Sequence, residues 1–236
     1  MTRIILTMLA IGSASIHLWG EYQGPALLIY VFKPLTMIFI ISIAVLAKEP
    51  PSMRYKLAII AGLSFSMLGD ILLMLPVDLF LAGLVTFLLA QVIYIYAFRS
   101  GRAWRKKFIA LLPLIIYGAI IYVVLLPNLN GLEIPVAGYI LVILIMAWQA
   151  WDLWDVLRTR WALLAFLGAL LFVVSDSILA INRFGEPFIA ARALTLTTYF
   201  SAQWLISNSN YTSGKTGLQL FFHSERFDQP GRGRSD

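Results

Sequence analysis

Long apolar runs alternate along the chain with short breaks that hold charges, prolines or glycines, and eight of the runs read as membrane-spanning helices. They cover about Ile4 to Trp19, Leu27 to Ala47, Leu57 to Leu75, Leu79 to Phe98, Phe108 to Leu126, Ile134 to Trp151, Trp161 to Ile181 and Ala193 to Ser207. The expected architecture is an all-α polytopic membrane protein, an eight-transmembrane-helix bundle over residues 1–207 followed by a polar cytoplasmic tail over 208–236. Arg3 and the Ser13-Ala14-Ser15 stretch give the first run some features of a cleaved signal peptide. A multispanning chain needs only a signal anchor, so retention of this helix is expected.

Composition sharpens the picture. With 60% hydrophobic and 13% charged residues among 236, and a mean hydropathy of +0.84, the chain is too apolar for a water-soluble globule. Cysteine is absent, which excludes disulfides and thiolate sites, and two histidines cannot make a three-histidine zinc site. No metal or other cofactor is expected. The net charge of +6 points to topology and anionic lipid rather than to nucleic acid.

Basic residues set the orientation. Arg3, Lys48, Arg54, Lys56, the Arg99 to Lys107 cluster, Arg158, Arg160 and the four basic residues of the tail fall on one side, fifteen of the eighteen Lys and Arg. The opposite loops hold only Arg183 and Arg192, and Lys33 lies within the second run. The positive-inside rule therefore places both termini in the cytoplasm, with Trp104, Trp151, Trp154 and Trp161 as an aromatic belt at the same boundary. Short loops and the lack of an extended domain suggest a bacterial inner membrane.

An internal echo joins the third and seventh runs. Gly62-Leu-Ser-Phe-Ser-Met-Leu-Gly-Asp70 aligns with Gly168-Ala-Leu-Leu-Phe-Val-Val-Ser-Asp176, and Phe87-Leu-Leu-Ala90-Gln91 with Tyr199-Phe-Ser-Ala202-Gln203. The pattern suggests a four-plus-four repeat. Four spans return the chain to its starting side, so the halves would be parallel repeats about an axis along the membrane normal.

Ionisable groups inside spans cost about 2.5–3.5 kcal/mol each and normally face protein or a water-filled cavity. Lys33, Asp70 and Asp176 stand out. Each aspartate lies roughly 7–8 Å below the outer end of its helix, and Lys33 and Tyr199 lie about 9 Å below the same face, at 1.5 Å per residue. The four groups thus share one outer layer. Two carboxyls and an ammonium in one cavity permit divided roles, a protonated acid delivering a proton while an ionised neighbour stabilises positive charge or activates water. The competing structural reading is an ion pair with Lys33 that only fixes packing.

Other polar positions carry weaker signals. Gln91 and Gln203 lie about 16–18 Å from the outer ends and suit interhelical hydrogen bonds. His17 and Glu21 read as interfacial, and Trp151-Asp152-Leu-Trp154-Asp155 with Arg158 and Arg160 reads as a solvated cytoplasmic-edge cluster. Lys33-Pro34 reads as a locally disrupted helix start.

These residues together resemble the YhhN-like membrane family, which includes the mammalian lysoplasmalogenases. The resemblance is carried by Lys33-Pro34-Leu35, Phe65-Ser-Met-Leu-Gly69-Asp70-Ile-Leu-Leu, Gly168 through Ser175-Asp176 to Asn182-Arg183-Phe184, and Tyr199-Phe-Ser-Ala-Gln203. The family often has histidine where Gln91 stands here. The resemblance implies hydrolysis of the vinyl-ether bond of a lysophospholipid, the lysoplasmalogen, to fatty aldehyde and a glycerophospho-alcohol. It implies the two aspartates as catalytic groups; the residues themselves suggest Asp70 and Asp176 as an acid/base pair of unassigned order, Lys33 as pKa tuner or phosphate contact, Tyr199 as an orienting hydroxyl, and Gln203 and Asn182 as substrate contacts. Two other functions fit the residues: a proton-coupled transporter or lipid flippase using the same aspartates, and a noncatalytic lipid-binding scaffold.

Overall fold

The computed structural model describes residues 1–99 and 111–212. Within them the chain forms eight α-helices: α1 (Thr2–Gln23), α2 (Ala26–Val45), α3 (Met53–Met74), α4 (Phe80–Arg99), α5 (Leu112–Leu125), α6 (Glu133–Leu157), α7 (Arg160–Phe184) and α8 (Ala191–Asn208). A short 3₁₀ turn, Leu126–Asn128, follows α5. Helices α1, α2, α3, α4, α6 and α7 are long and apolar enough to cross a membrane; α5 is shorter and α8 less apolar. Residues 100–110, which include the expected start of the fifth helix, and 213–236, most of the expected tail, lie outside the described residues.

Local chemistry explains several boundaries. Ser52 and Thr159 cap α3 and α7, their hydroxyls accepting backbone N–H groups from Tyr55 and Ala162. Arg158 adopts a left-handed conformation at φ 47° between α6 and α7, held by Asp155 Oδ1 at 2.5 Å and by the Trp154 ring.

Four sequence expectations are corrected here. Helix α2 runs unbroken through Pro34, although proline removes one backbone donor; nearby, the Ser13 and Thr36 hydroxyls both donate to the Phe32 carbonyl. Helix α6 extends to Leu157, so Asp152 and Leu153 face the bundle and are buried rather than part of a solvated edge. His17, expected to face the interface, is instead fully enclosed by the bundle, edge-on to Phe200 and 3.7 Å from Glu21. The start of the tail is packed as well: Asn208, Ser209 and Asn210 are buried, and Tyr211 donates to the Ile43 carbonyl.

The helices pack chiefly as neighbours in sequence, α1 on α2, α3 on α4 and α7 on α8, while α6 bridges α4 and α7 and α2 bridges α3 and α8. Two glycines allow the closest crossings. A methyl on Gly62 would enter the Tyr94 ring of α4, and one on Gly168 would lie 2.7 Å from Ile206 Cγ1 and 2.9 Å from the Ala202 carbonyl of α8. At one end of the bundle Tyr55 of α3 meets Ser209 beyond α8, at 2.6 Å. At the other, Arg183 of α7 pairs with Asp78, Arg192 of α8 with Glu21, and Tyr22 with the Ile189 carbonyl.

Candidate active site

Asp70 sits near the end of α3 with almost no solvent exposure, and both of its carboxyl oxygens are engaged. Lys33 Nζ of α2 lies 3.1 Å from Oδ1, and the Tyr199 hydroxyl of α8 donates to Oδ2 at 2.5 Å. Gly69 lets Phe87 of α4 close over this cluster, since a methyl there would meet the Phe87 ring at 2.7 Å. Lys33, Asp70 and Tyr199, three of the residues singled out in the sequence, are therefore in direct contact.

Asp176 of α7 belongs to an adjoining cluster of different character. Its Oδ2 accepts from the Tyr139 hydroxyl of α6 and, at 3.5 Å, from Gln91 Nε2 of α4. Oδ1 has no hydrogen-bond partner among the described residues, and no cation pairs with this carboxyl there. Asp176 also lines a cavity of about 60 Å³ enclosed mainly by apolar side chains, including Phe87, Tyr139, Ile143 and Val173. A water molecule needs roughly 10–15 Å³ of such space, so the cavity accommodates one.

The two clusters communicate through aromatic rings. Phe87 lines the Asp176 cavity and stands edge-on to Tyr199, with ring centroids 6.0 Å apart, while Phe172 lies 5.8 Å from Tyr199 and 6.2 Å from Phe87. The two carboxyls belong to separate hydrogen-bond clusters. They do not share a hydrogen bond.

Two of the expected substrate contacts make no hydrogen bond to either aspartate. Gln203 is fully buried and accepts from the Tyr94 hydroxyl at 2.8 Å, with no bond to either aspartate. Asn182 stands half-buried in the last turns of α7 and makes no side-chain hydrogen bond among the described residues. Tyr139 carries no charge, so within an apolar run it gives far less of a signal than an aspartate or a lysine. The internal echo held a signal: the offset that aligns Asp70 with Asp176 also aligns Lys33 with Tyr139.

The sequence pattern of the YhhN family matches residues 28–210, which takes in every residue of both clusters. The chain belongs to the YhhN family. Among YhhN-family relatives, the uncharacterized membrane protein YhhN of Escherichia coli O6:H1 is 30% identical over 84% of this chain and 95% of its own length. The lysoplasmalogenase TMEM86A of Bos taurus is 35% identical over 64% of both chains. The human lysoplasmalogenase TMEM86B is 32% identical over 67% of this chain and 66% of its own. No solved structure matches the chain. Family membership and the apolar helices make this an integral membrane protein.

Proposed function

We propose that this YhhN-family protein hydrolyses the vinyl-ether bond of lysoplasmalogens, with Asp176 moving the proton and the Lys33-paired Asp70 acting as a fixed charge behind it. The observation that carries this reading is the inequality of the two aspartates. Asp70 has a cation and a hydroxyl on its two oxygens, whereas Asp176 has only neutral donors, one open oxygen and an apolar cavity in front of it. Neutral partners on one oxygen and an open second oxygen suit Asp176 to hold and deliver a proton, whereas both oxygens of Asp70 are engaged.

The chemistry follows in balanced steps. Asp176 donates its proton to the outer vinyl carbon, and the electron pair of the double bond forms the new C–H bond. The adjacent carbon becomes an oxocarbenium ion, stabilised by the new Asp176 carboxylate and by the field of Asp70. Water adds to that carbon and returns a proton to Asp176. The resulting hemiacetal breaks into aldehyde and the glycerol hydroxyl. Tyr139 and Gln91 hold Oδ2, leaving Oδ1 for the substrate.

The same reading takes α5 and α8 as the remaining spans of an eight-span bundle in a bacterial inner membrane, with both termini cytoplasmic. The positive-inside distribution supports this sidedness. The pairing pattern supports parallel repeats: each aspartate is met by the preceding helix of its own half and by the last helix of the other half. The deciding experiment incubates the purified full chain with lysoplasmalogen, its alkyl-ether analogue and an ordinary lysophospholipid, and follows products by mass spectrometry. Aldehyde from the vinyl ether alone is expected. Turnover of none of the three would reject the hydrolase and leave transport through the same aspartates as the reading to test.

A further inference from the structure

Beyond the Asp176 cavity, at the end of the bundle opposite the termini, lies a second space of about 470 Å³ walled by Asp78, Arg183 and Arg192 among apolar residues. It adjoins the first, because Leu73, Phe80 and Leu179 line both. Arg183 and Arg192 are the two basic residues found in the outer loops, where the positive-inside rule disfavours them, and both border this one pocket. Arg183 stands seven residues beyond Asp176 on α7, two helical turns along the same face and about 10 Å away along the axis, with Leu179 between them.

Among the described residues each arginine is anchored by an ion pair. Arg183 Nη2 lies 3.0 Å from Asp78 Oδ2, with its guanidinium also 5.3 Å from the Phe80 ring centroid, and Arg192 Nη1 lies 3.1 Å from Glu21 Oε2. A guanidinium has five N–H donors, so both keep donors for an anion. Asp78, whose side chain is 72% exposed, adds an anionic group beside them. Lys33 does not border this pocket; its ammonium is committed to Asp70.

We propose that this outer pocket receives the zwitterionic phosphodiester headgroup of the lipid whose ether end lies against Asp176, with Arg183 and Arg192 on the phosphate and Asp78 beside the ammonium. The position of the ether end rests on the hydrolase reading, but headgroup recognition is measurable without turnover. Forked guanidinium donors suit phosphate oxygens, and a carboxylate among them suits a phosphoethanolamine or phosphocholine better than a phosphate monoester. An extended glycerol backbone and an arginine side chain together cover the distance from Asp176 to Arg183.

The test measures binding of a saturated 1-O-alkyl lysophosphatidylethanolamine, which has no vinyl ether to cleave, against 1-O-alkylglycerol, which has no headgroup. Wild-type protein and the variants Arg183→Gln, Arg192→Gln and their lysine counterparts are titrated in detergent. Each glutamine variant is expected to weaken phospholipid binding about tenfold, with alkylglycerol binding changed less than about twofold and the lysine variants in between. On wild-type protein, added salt is expected to weaken phospholipid binding but not alkylglycerol binding, a readout that no folding defect can imitate. No phospholipid binding by wild-type protein, equal affinity across the variants, or salt-insensitive binding overturns the proposal. Displacement by inorganic phosphate alone at concentrations matching the lipid also overturns it, by marking a free-anion site. Headgroup-dependent binding without aldehyde release from lysoplasmalogen would reject the hydrolase reading and leave the headgroup pocket standing.

Discussion

Lys33 and Tyr139 stand in the same relation to the two aspartates. Each lies 37 residues ahead of its aspartate, on the preceding helix, and brings its terminal polar atom to the carboxyl. One partner carries a charge and the other does not, and that difference separates an ion pair from a neutral hydrogen-bonded site.

Placing lysine at position 139 removes the difference. Tyr139→Lys is expected to tie the Asp176 carboxyl into an ion pair like that of Asp70 and to lower aldehyde release at least about 100-fold, the scale of a lost general acid, while the protein still elutes as a folded species. Tyr139→Phe leaves the acid in place and removes one hydrogen bond, so a loss nearer tenfold is expected. Initial rates with lysoplasmalogen check both, and equal rates for the two variants would contradict the assigned role.

The two aspartates are expected to fail differently. Asp176→Asn removes the proton donor and abolishes turnover with little change in melting temperature. Asp70→Asn leaves the Lys33 ammonium without its counter-charge and is expected to destabilise the fold by about 3–5 kcal/mol. Thermal melts in detergent beside activity assays separate the cases.

A compensating change tests the ion pair itself. Lys33→Met combined with Asp70→Asn removes both charges, so the melting temperature is expected to recover most of what Asp70→Asn alone loses. Activity is expected to stay low because the fixed anion is gone. A double variant as unstable as the single one would show that Lys33 and Asp70 are not energetically coupled.

Close helix crossings give a prediction remote from the chemistry. Gly168→Leu drives a side chain into Ile206 and the Ala202 carbonyl, and backbone cannot rotate out of the way. A loss of at least about 1–3 kcal/mol is expected, read as a lower melting temperature. Gly12 has open space around it, so Gly12→Leu is the control and is expected to be near neutral.

Much of this protein is legible in its sequence. Apolar runs determine where helices form, because each span must satisfy its own backbone hydrogen bonds in lipid. Asp70, Asp176 and Lys33 announced themselves because a charge in such a run is costly to insert. Partnership was not legible, since hydropathy runs along one dimension and carries no helix rotation or lateral distance. The sequence therefore placed Lys33, Tyr199 and both aspartates in one layer, and only the packing of α2, α4, α6 and α8 decided which group meets which carboxyl. His17 shows the same limit from the other side: near the end of a helix it read as interfacial, and the neighbouring helices, Phe200 among their residues, buried it. Charge is a property a residue carries by itself, whereas contact is decided by what the fold brings beside it.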